Sequence, residues 1–122
     1  MSNEITTAKA EFKLDLDTAG VVVVDYIPER ITPPVVIINT ASPYLTPSTL
    51  GNEYKMNLEL VVVAATATNK QASEKLDEAI EAILLAMPRY ARVISVNEPY
   101  EMATNNANYL SANISVELEI TL

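Results

Sequence analysis

Two stretches of the chain repeat apolar residues at the three- and four-residue spacing of an amphipathic helix. The first comprises Ile5, Ala8, Phe12, Leu16 and Ala19. Gly20 follows, at the position where a left-handed residue commonly ends a helix. The second stretch begins near Thr68, because Thr68 and Gln71 have the spacing of a capping box, and it ends before Pro88. Its apolar stripe comprises Ala72, Leu76, Ile80, Ile83 and Met87, widened by Ala79 and Leu84.

Strands are predicted where apolar and polar residues alternate, or where short apolar runs occur. Residues 110–122 alternate strictly, so one face of this last strand is expected on the core and the other in water or against a wet partner. A long strand from Tyr54 alternates as far as Glu59 and is continuously apolar beyond it. Shorter strands are predicted at Val21–Asp25, Val35–Asn39 and Ala91–Asn97.

Two segments between the strands are predicted as loops. Residues 40–53 contain Pro43, Pro47 and Gly51, which disfavour a regular element. Residues 98–108 are polar. The first segment is too long for a tight hairpin turn, and long structured loops are often functional.

The order of the elements is helix, three strands, helix and two strands. A helical crossover between the third and fourth strands leaves room for the fifth strand between them, antiparallel to both. The sequence therefore predicts an α+β fold, with a mostly antiparallel β-sheet of about five strands and two α-helices packed on one face. Its 122 residues fit a single domain, 1–122.

Apolar residues occur on both faces of several strands, although two helices can cover only one face. They lie in Val21–Val24 and Val35–Ile38 and at Val61 and Val63. Either a loop of the same chain or another subunit must cover the surplus, and we favour the subunit.

Composition excludes several classes of chemistry. The chain has no histidine and no cysteine, which removes the commonest general base, nucleophilic triads and zinc–sulfur sites. Its two glycines cannot form a phosphate-binding loop. We therefore predict no enzyme, no catalytic, cofactor-binding or metal-binding residue, and no cofactor.

Charge and hydropathy also limit the partners. Sixteen acidic and eight basic residues give a net charge of −8, so DNA can pass but is not expected to bind. No apolar run approaches the roughly 20 residues of a membrane-spanning helix. Residues 1–4 lack the pattern of a signal peptide, which predicts a cytoplasmic protein without membrane contacts.

Three weak motifs have simple structural interpretations. Asp15, Asp17 and Gly20 have the spacing of the start of a calcium loop, but the later ligands are missing, which favours an acidic helix end. The acidic group Glu74, Asp77, Glu78 and Glu81 is expected to be a solvated helix face. A glycosylation sequon at Asn113 lies inside a predicted strand and is interpreted as chance.

Five stretches of the chain resemble the tail terminator proteins of long-tailed bacteriophages. They are Tyr26–Pro34, Pro43–Pro47, Ala65–Asn69, Val96–Tyr100 and Asn108–Ala112. The resemblance implies a homo-oligomeric ring of six copies that caps the tail tube, ends its polymerisation and joins the tail to the head connector or stopper protein. It implies a virion protein of the tail, assembled in the host cytoplasm, without cofactor or catalysis.

Two other functions remain open. One is a different joining part, such as a head–tail stopper or a minor tail protein. The other is a small ligand-binding domain or enzyme that uses Asp, Glu, Tyr and Arg alone. A deep pocket joining Asp25, Tyr26 and Arg30 would favour it.

Two sets of candidate residues follow. Tyrosines next to prolines in loops provide stiff, amphipathic contact area, so the predicted interface residues are Pro43, Tyr44, Leu45, Pro47, Leu50, Pro99 and Tyr100. For the first loop, the alternative is that Leu45 and Leu50 pack under the domain's own sheet. The polar sides of the two long strands are expected to face the DNA passage, with Asn57, Glu59, Ser115, Glu117 and Glu119 as lumen-facing candidates.

Overall fold

The computed structural model describes residues 4–26, 32–48, 51–65, 70–103 and 108–122. In these ranges the chain forms two α-helices, one 3₁₀ turn and a six-stranded sheet, which confirms the predicted α+β class. The elements are α1 Glu4–Leu16, the 3₁₀ turn Asp17–Ala19, β1 Val22–Val24, β2 Val35–Pro47, β3 Glu53–Ala65, α2 Lys70–Ala86, β4 Ala91–Val96, β5 Tyr100–Ala103 and β6 Asn108–Thr121.

The strands are arranged in the order β1-β2-β3-β6-β4, and β5 also pairs with β6. β1 is parallel to β2, and the other pairings are antiparallel. The last strand therefore lies between β3 and β4 and is antiparallel to both, as its position after the α2 crossover predicted. β4 pairs with residues 114–118 of β6 and β5 with residues 108–111, so these two strands follow one another along the same side of β6.

The helices end where the sequence predicted. Gly20 has a φ of 82°, in the left-handed region that favours glycine, and its N–H bonds to the carbonyl oxygen of Asp17 at 3.3 Å. α2 ends at Ala86, before Pro88. Thr68, the predicted cap of α2, lies outside the described residues.

Both helices pack on one face of the sheet, as predicted, and form the main core there. Phe12 and Leu16 of α1, and Leu76 and Ile83 of α2, are fully buried. They meet alternate residues of the central strands, because side chains of one parity share a face. Those strand residues are Val36, Ile38, Met56, Leu58, Leu60, Val62, Ala64, Ala112, Ile114, Val116, Leu118 and Ile120. Leu84, predicted to widen the stripe of α2, is exposed.

A second cluster lies on the opposite face, at the end of the sheet where β3 finishes. It comprises Val35, Ile37, Val61, Val63 and Tyr109, with Val24 and Met102 packed against it. All five members are buried within one chain. A second subunit was expected to cover this surface, and for these residues that expectation was wrong. Part of the reason is β5, which the sequence did not reveal and which places Met102 opposite Tyr109.

The predicted loop over residues 40–53 was also wrong for most of its length. β2 continues to Pro47 and pairs with β3 again from Leu45. The register is irregular between Thr40 and Leu45, where Pro43 lies, so the proline without an N–H interrupts the ladder locally and does not end the strand. The Ser42–Pro43 peptide bond is cis. Leu50 lies outside the described residues, and Gly51 has the positive φ of a turn residue.

Candidate interaction surface on the open face of the sheet

The second cluster covers one end of the face opposite the helices, and polar side chains cover the rest. We call this region the polar face. It comprises Lys55, Asn57, Glu59, Arg92, Asn113, Ser115, Glu117 and Glu119. The strict alternation of β6 and the first half of β3 produces it, because every second residue of each strand points away from the helices. All five lumen-facing candidates lie here, with Asn57 opposite Glu117 and Glu59 opposite Ser115.

Asn113 connects three strands across the middle of the open face. The Tyr100 hydroxyl donates to Asn113 Oδ1 at 2.8 Å, and Asn113 Nδ2 donates to Glu59 Oε1 at 3.2 Å. Partial burial raises the pKa of the Tyr100 hydroxyl, and the negative charge of Glu59 raises it further. The side chain that the sequence offered as a sequon is therefore occupied by hydrogen bonds within the sheet.

Asn57 holds the irregular part of β2 against β3. Its Nδ2 donates to the carbonyl oxygen of Pro43 at 2.8 Å and to Thr46 Oγ1 at 3.1 Å. These bonds give a partner to a carbonyl at the point where the backbone ladder is interrupted. A polar side chain on one strand thus stabilises the proline-containing segment of its neighbour.

The other end of the polar face is charged. Lys55 Nζ lies 3.5 Å from Glu117 Oε1, and Arg92 is opposite Glu117 in the register of β4 and β6. A groove of about 240 Å³ lies here, and the residues that line it include Lys55, Arg89, Tyr90, Arg92, Glu117 and Glu119.

The polar face carries a smaller acidic excess than the whole chain. It has three carboxylates, at Glu59, Glu117 and Glu119, and Glu53 adds a fourth at the start of β3, against the cations of Lys55 and Arg92. The two helices together carry more of the acidic excess. α2 has four carboxylates and two lysines, and so does α1 when the 3₁₀ turn is counted with it. Like-charge repulsion of phosphates is therefore weaker on this face than the net charge of the chain suggested.

The predicted interface residues do not form one patch. Tyr44 and Leu45 lie beside the start of β3, are half-buried and pack against the main core. Lys9 Nζ is 5.4 Å from the centre of the Tyr44 ring. Pro99 and Tyr100 lie at the opposite end of the sheet, because Tyr100 pairs with Ser111 and Ser111 pairs with Val63 near the end of β3. The exposed Pro43 and Pro47 accompany the first group.

The calcium-like segment has the contacts of an ordinary helix end. The Tyr90 hydroxyl donates to the Asp15 carboxylate, and Thr18 Oγ1 donates to the Asp15 carbonyl at 2.7 Å. Asp17 is 3.7 Å from Lys13 in an i,i+4 ion pair. Partial burial raises the pKa of the Tyr90 hydroxyl, and the hydrogen bond and charge of Asp15 add to the effect. In the described part of the chain, no three acidic side chains lie close enough together to hold a metal ion.

Both lateral edges of the sheet carry exposed apolar side chains. Val22 of β1 is 61% exposed, and on β4 Ile94 is 52% and Val96 40% exposed. Val22 belongs to the Val21–Val24 run for which a covering subunit was expected. Ile94 and Val96 were not among the candidates, because only the strand order shows that β4 is an outermost strand. A run of apolar residues in a strand is ordinarily read as core.

Two of the three residues of the pocket that would favour an enzyme lie in the described ranges. Asp25 and Tyr26 are both exposed there. Arg30 lies outside those ranges.

Neither described helix is long and apolar enough to cross a membrane. No protein-family model matches the chain, and no curated protein matches it.

Proposed function

We propose that the chain is a structural subunit of a phage tail. In this proposal it forms a homo-oligomeric ring of six copies that caps the tail tube, ends tube polymerisation and provides the surface that joins the tail to the head connector or stopper protein. The observation that carries the proposal is the architecture of the sheet, together with the resemblance of five stretches of sequence to tail terminators. Helices close one face, the other is largely polar, and both lateral edges carry apolar groups.

The polar face suits a surface past which DNA moves. Asn57, Asn113 and Tyr100 use hydrogen-bonding groups within the sheet, and Lys55 is paired with Glu117. Side chains that already have partners in the protein offer fewer groups to passing phosphates. In this view, low adhesion comes from hydrogen bonds and ion pairing within the face, together with its acidic excess.

The chemistry of the chain supports a role in assembly. No residue can act as a histidine base or a cysteine nucleophile, and a phosphate-binding loop cannot be formed with two glycines. We therefore expect no turnover and no resident cofactor.

The alternatives differ in where the protein binds. A stopper or minor tail protein would bind the head connector or another part of the tail, and would leave the open end of the tube uncapped. A ligand-binding domain would retain a small molecule through purification. The exposure of Asp25 and Tyr26 makes this alternative the weaker one.

Electron microscopy of tails assembled without this protein tests the proposal. Addition of the purified chain should place a ring at one end of each tube and stop further growth when tube protein is supplied. Tubes that keep growing at the same rate, with bare ends, would refute the proposal. A ring on isolated heads instead would identify a stopper.

A further inference from the structure

We propose that neighbouring copies join edge to edge, with β4 of one copy pairing antiparallel to β1 of the next, so that the sheet continues from copy to copy. This inference rests on the proposed ring and names the contact that would build it. The occupant of each edge is therefore a second copy of the chain, joined through two different surfaces.

Both edges are suited to receive a strand. In the described ranges β1 pairs with β2 alone and β4 with β6 alone, so each has a side without a partner strand. Val22 on β1, and Ile94 and Val96 on β4, expose apolar surface there. Edge strands of monomeric proteins usually avoid this combination, because it promotes association with other strands. The register irregularity between Val93 and Ser95 disturbs β4 only locally.

The strand directions favour this pairing. β1 is parallel to β2. Because β2 is antiparallel to β3, and β3 is antiparallel to β6, β6 has the same direction as β2 and β1. β4 is antiparallel to β6 and hence to β1. Copies related by rotation about an axis along the strands keep these directions, so β4 meets the next β1 in the antiparallel sense. The helices then stay on one side of the sheet in every copy, and such a heterologous contact forms a closed ring when the rotation closes.

The charges at the two edges are complementary in an antiparallel β4–β1 contact. Arg92 lies near the start of β4 and Arg89 precedes it, whereas the exposed Asp25 follows β1. Antiparallel pairing places the start of β4 beside the end of β1, so it brings these arginines toward the carboxylate of Asp25. This complementarity favours the heterologous contact.

The length of β1 sets the strength of each contact. A strand of three residues forms few backbone hydrogen bonds, and each contributes little net stability in water. A single contact is consequently weak, and a closed ring gains from having every edge occupied at once. We expect association that rises with protein concentration.

The absence of cysteine from the chain permits a direct test. Val22→Cys combined with Ser95→Cys places one thiol on each edge, both on the open face, since Val22 pairs with Val35 and Ser95 with Ser115. The two thiols lie four strand spacings or about 19 Å apart within a copy, too far for an internal disulfide. Mild oxidation over a series of concentrations should give a ladder of covalent oligomers that ends at a closed ring. Each single variant should remain uncrosslinked, like Leu85→Cys, a collision control at a site that is 81% exposed.

A blocking variant separates this contact from the proposed function. Ile94→Lys adds a charge at an exposed edge position and should abolish the ladder in the double-cysteine background and prevent capping of tails. Covalent dimers from Ser95→Cys alone would overturn the inference in favour of a symmetric β4–β4 contact. Monomers at every concentration, or normal capping by Ile94→Lys, would also overturn it. In the last case the proposed function would stand, whereas failure of the unmodified chain to cap tails would refute that function itself.

Discussion

Leu45 offers the sharpest test of whether the proline-containing segment of β2 belongs to the core or to an interface. Its side chain is half-buried against the main core, opposite Met56 in the register. Replacing a fully buried leucine by alanine costs about 2–5 kcal/mol. Because Leu45 is only partly buried, we expect Leu45→Ala to lower the free energy of unfolding by about 1.5–2.5 kcal/mol.

The same change at an exposed site provides the control. Leu85 is 81% exposed at the end of α2, so Leu85→Ala should change stability by less than about 0.5 kcal/mol. Urea denaturation followed by circular dichroism measures both variants. With a denaturant slope of about 2 kcal/mol/M, Leu45→Ala should lower the midpoint by roughly 1 M, and Leu85→Ala by a quarter of that or less.

Two midpoints that agree within error would refute the assignment of Leu45 to the core. The interface interpretation would then be favoured, and Leu45→Ala should prevent heads and tails from joining. A large loss of stability, with normal joining at a temperature where the variant is folded, would remove Leu45 from the interface set.

Three further predictions concern the hydroxyl and polar groups. Folding raises the pKa of the Tyr90 hydroxyl, so the stability that this hydroxyl contributes should be complete below about pH 10 and should be lost as the pH rises above that value. A series of urea midpoints at increasing pH measures this loss, and Tyr90→Phe should reduce it. Asn113→Ala should lower the free energy of unfolding by about 1–3 kcal/mol, because it leaves the half-buried Glu59 carboxylate without its amide donor. Thermal unfolding measures this loss, and a Ser115→Ala control should show less than half of it. Glu117→Lys with Glu119→Lys should slow DNA ejection while the protein stays folded, and unchanged ejection kinetics would argue against a position of the polar face on the DNA passage.

Periodic segments were the predictable part of the fold. The alternation of β6 and of the first half of β3 identified the two faces of each strand and hence the polar positions Glu59, Ser115 and Glu117, because a strand's side-chain period does not depend on its neighbours. The stripe of α2 identified Leu76 and Ile83 as core for the same reason.

The segment around Pro43 could not be predicted from local signals. Prolines there suggested a loop, but the backbone is held by Asn57, fourteen residues further along the chain. The Tyr100–Asn113–Glu59 connection spans three strands and is likewise non-local. β5 has only four residues, so its pairing with β6, and not its own composition, defines it as a strand.

The central place of β6 has a consequence for synthesis. This strand contacts β3, β4 and β5, yet it is the last described strand to leave the ribosome. Until it emerges, β3 has no partner on one side, and its apolar stretch from Leu60 to Val63 can pair with any strand nearby. Long-range pairing of this kind is slow relative to helix formation. The nascent chain therefore passes through a period of exposure to aggregation that ends only when residues 108–121 are available, and translation that stops short of them should give insoluble product.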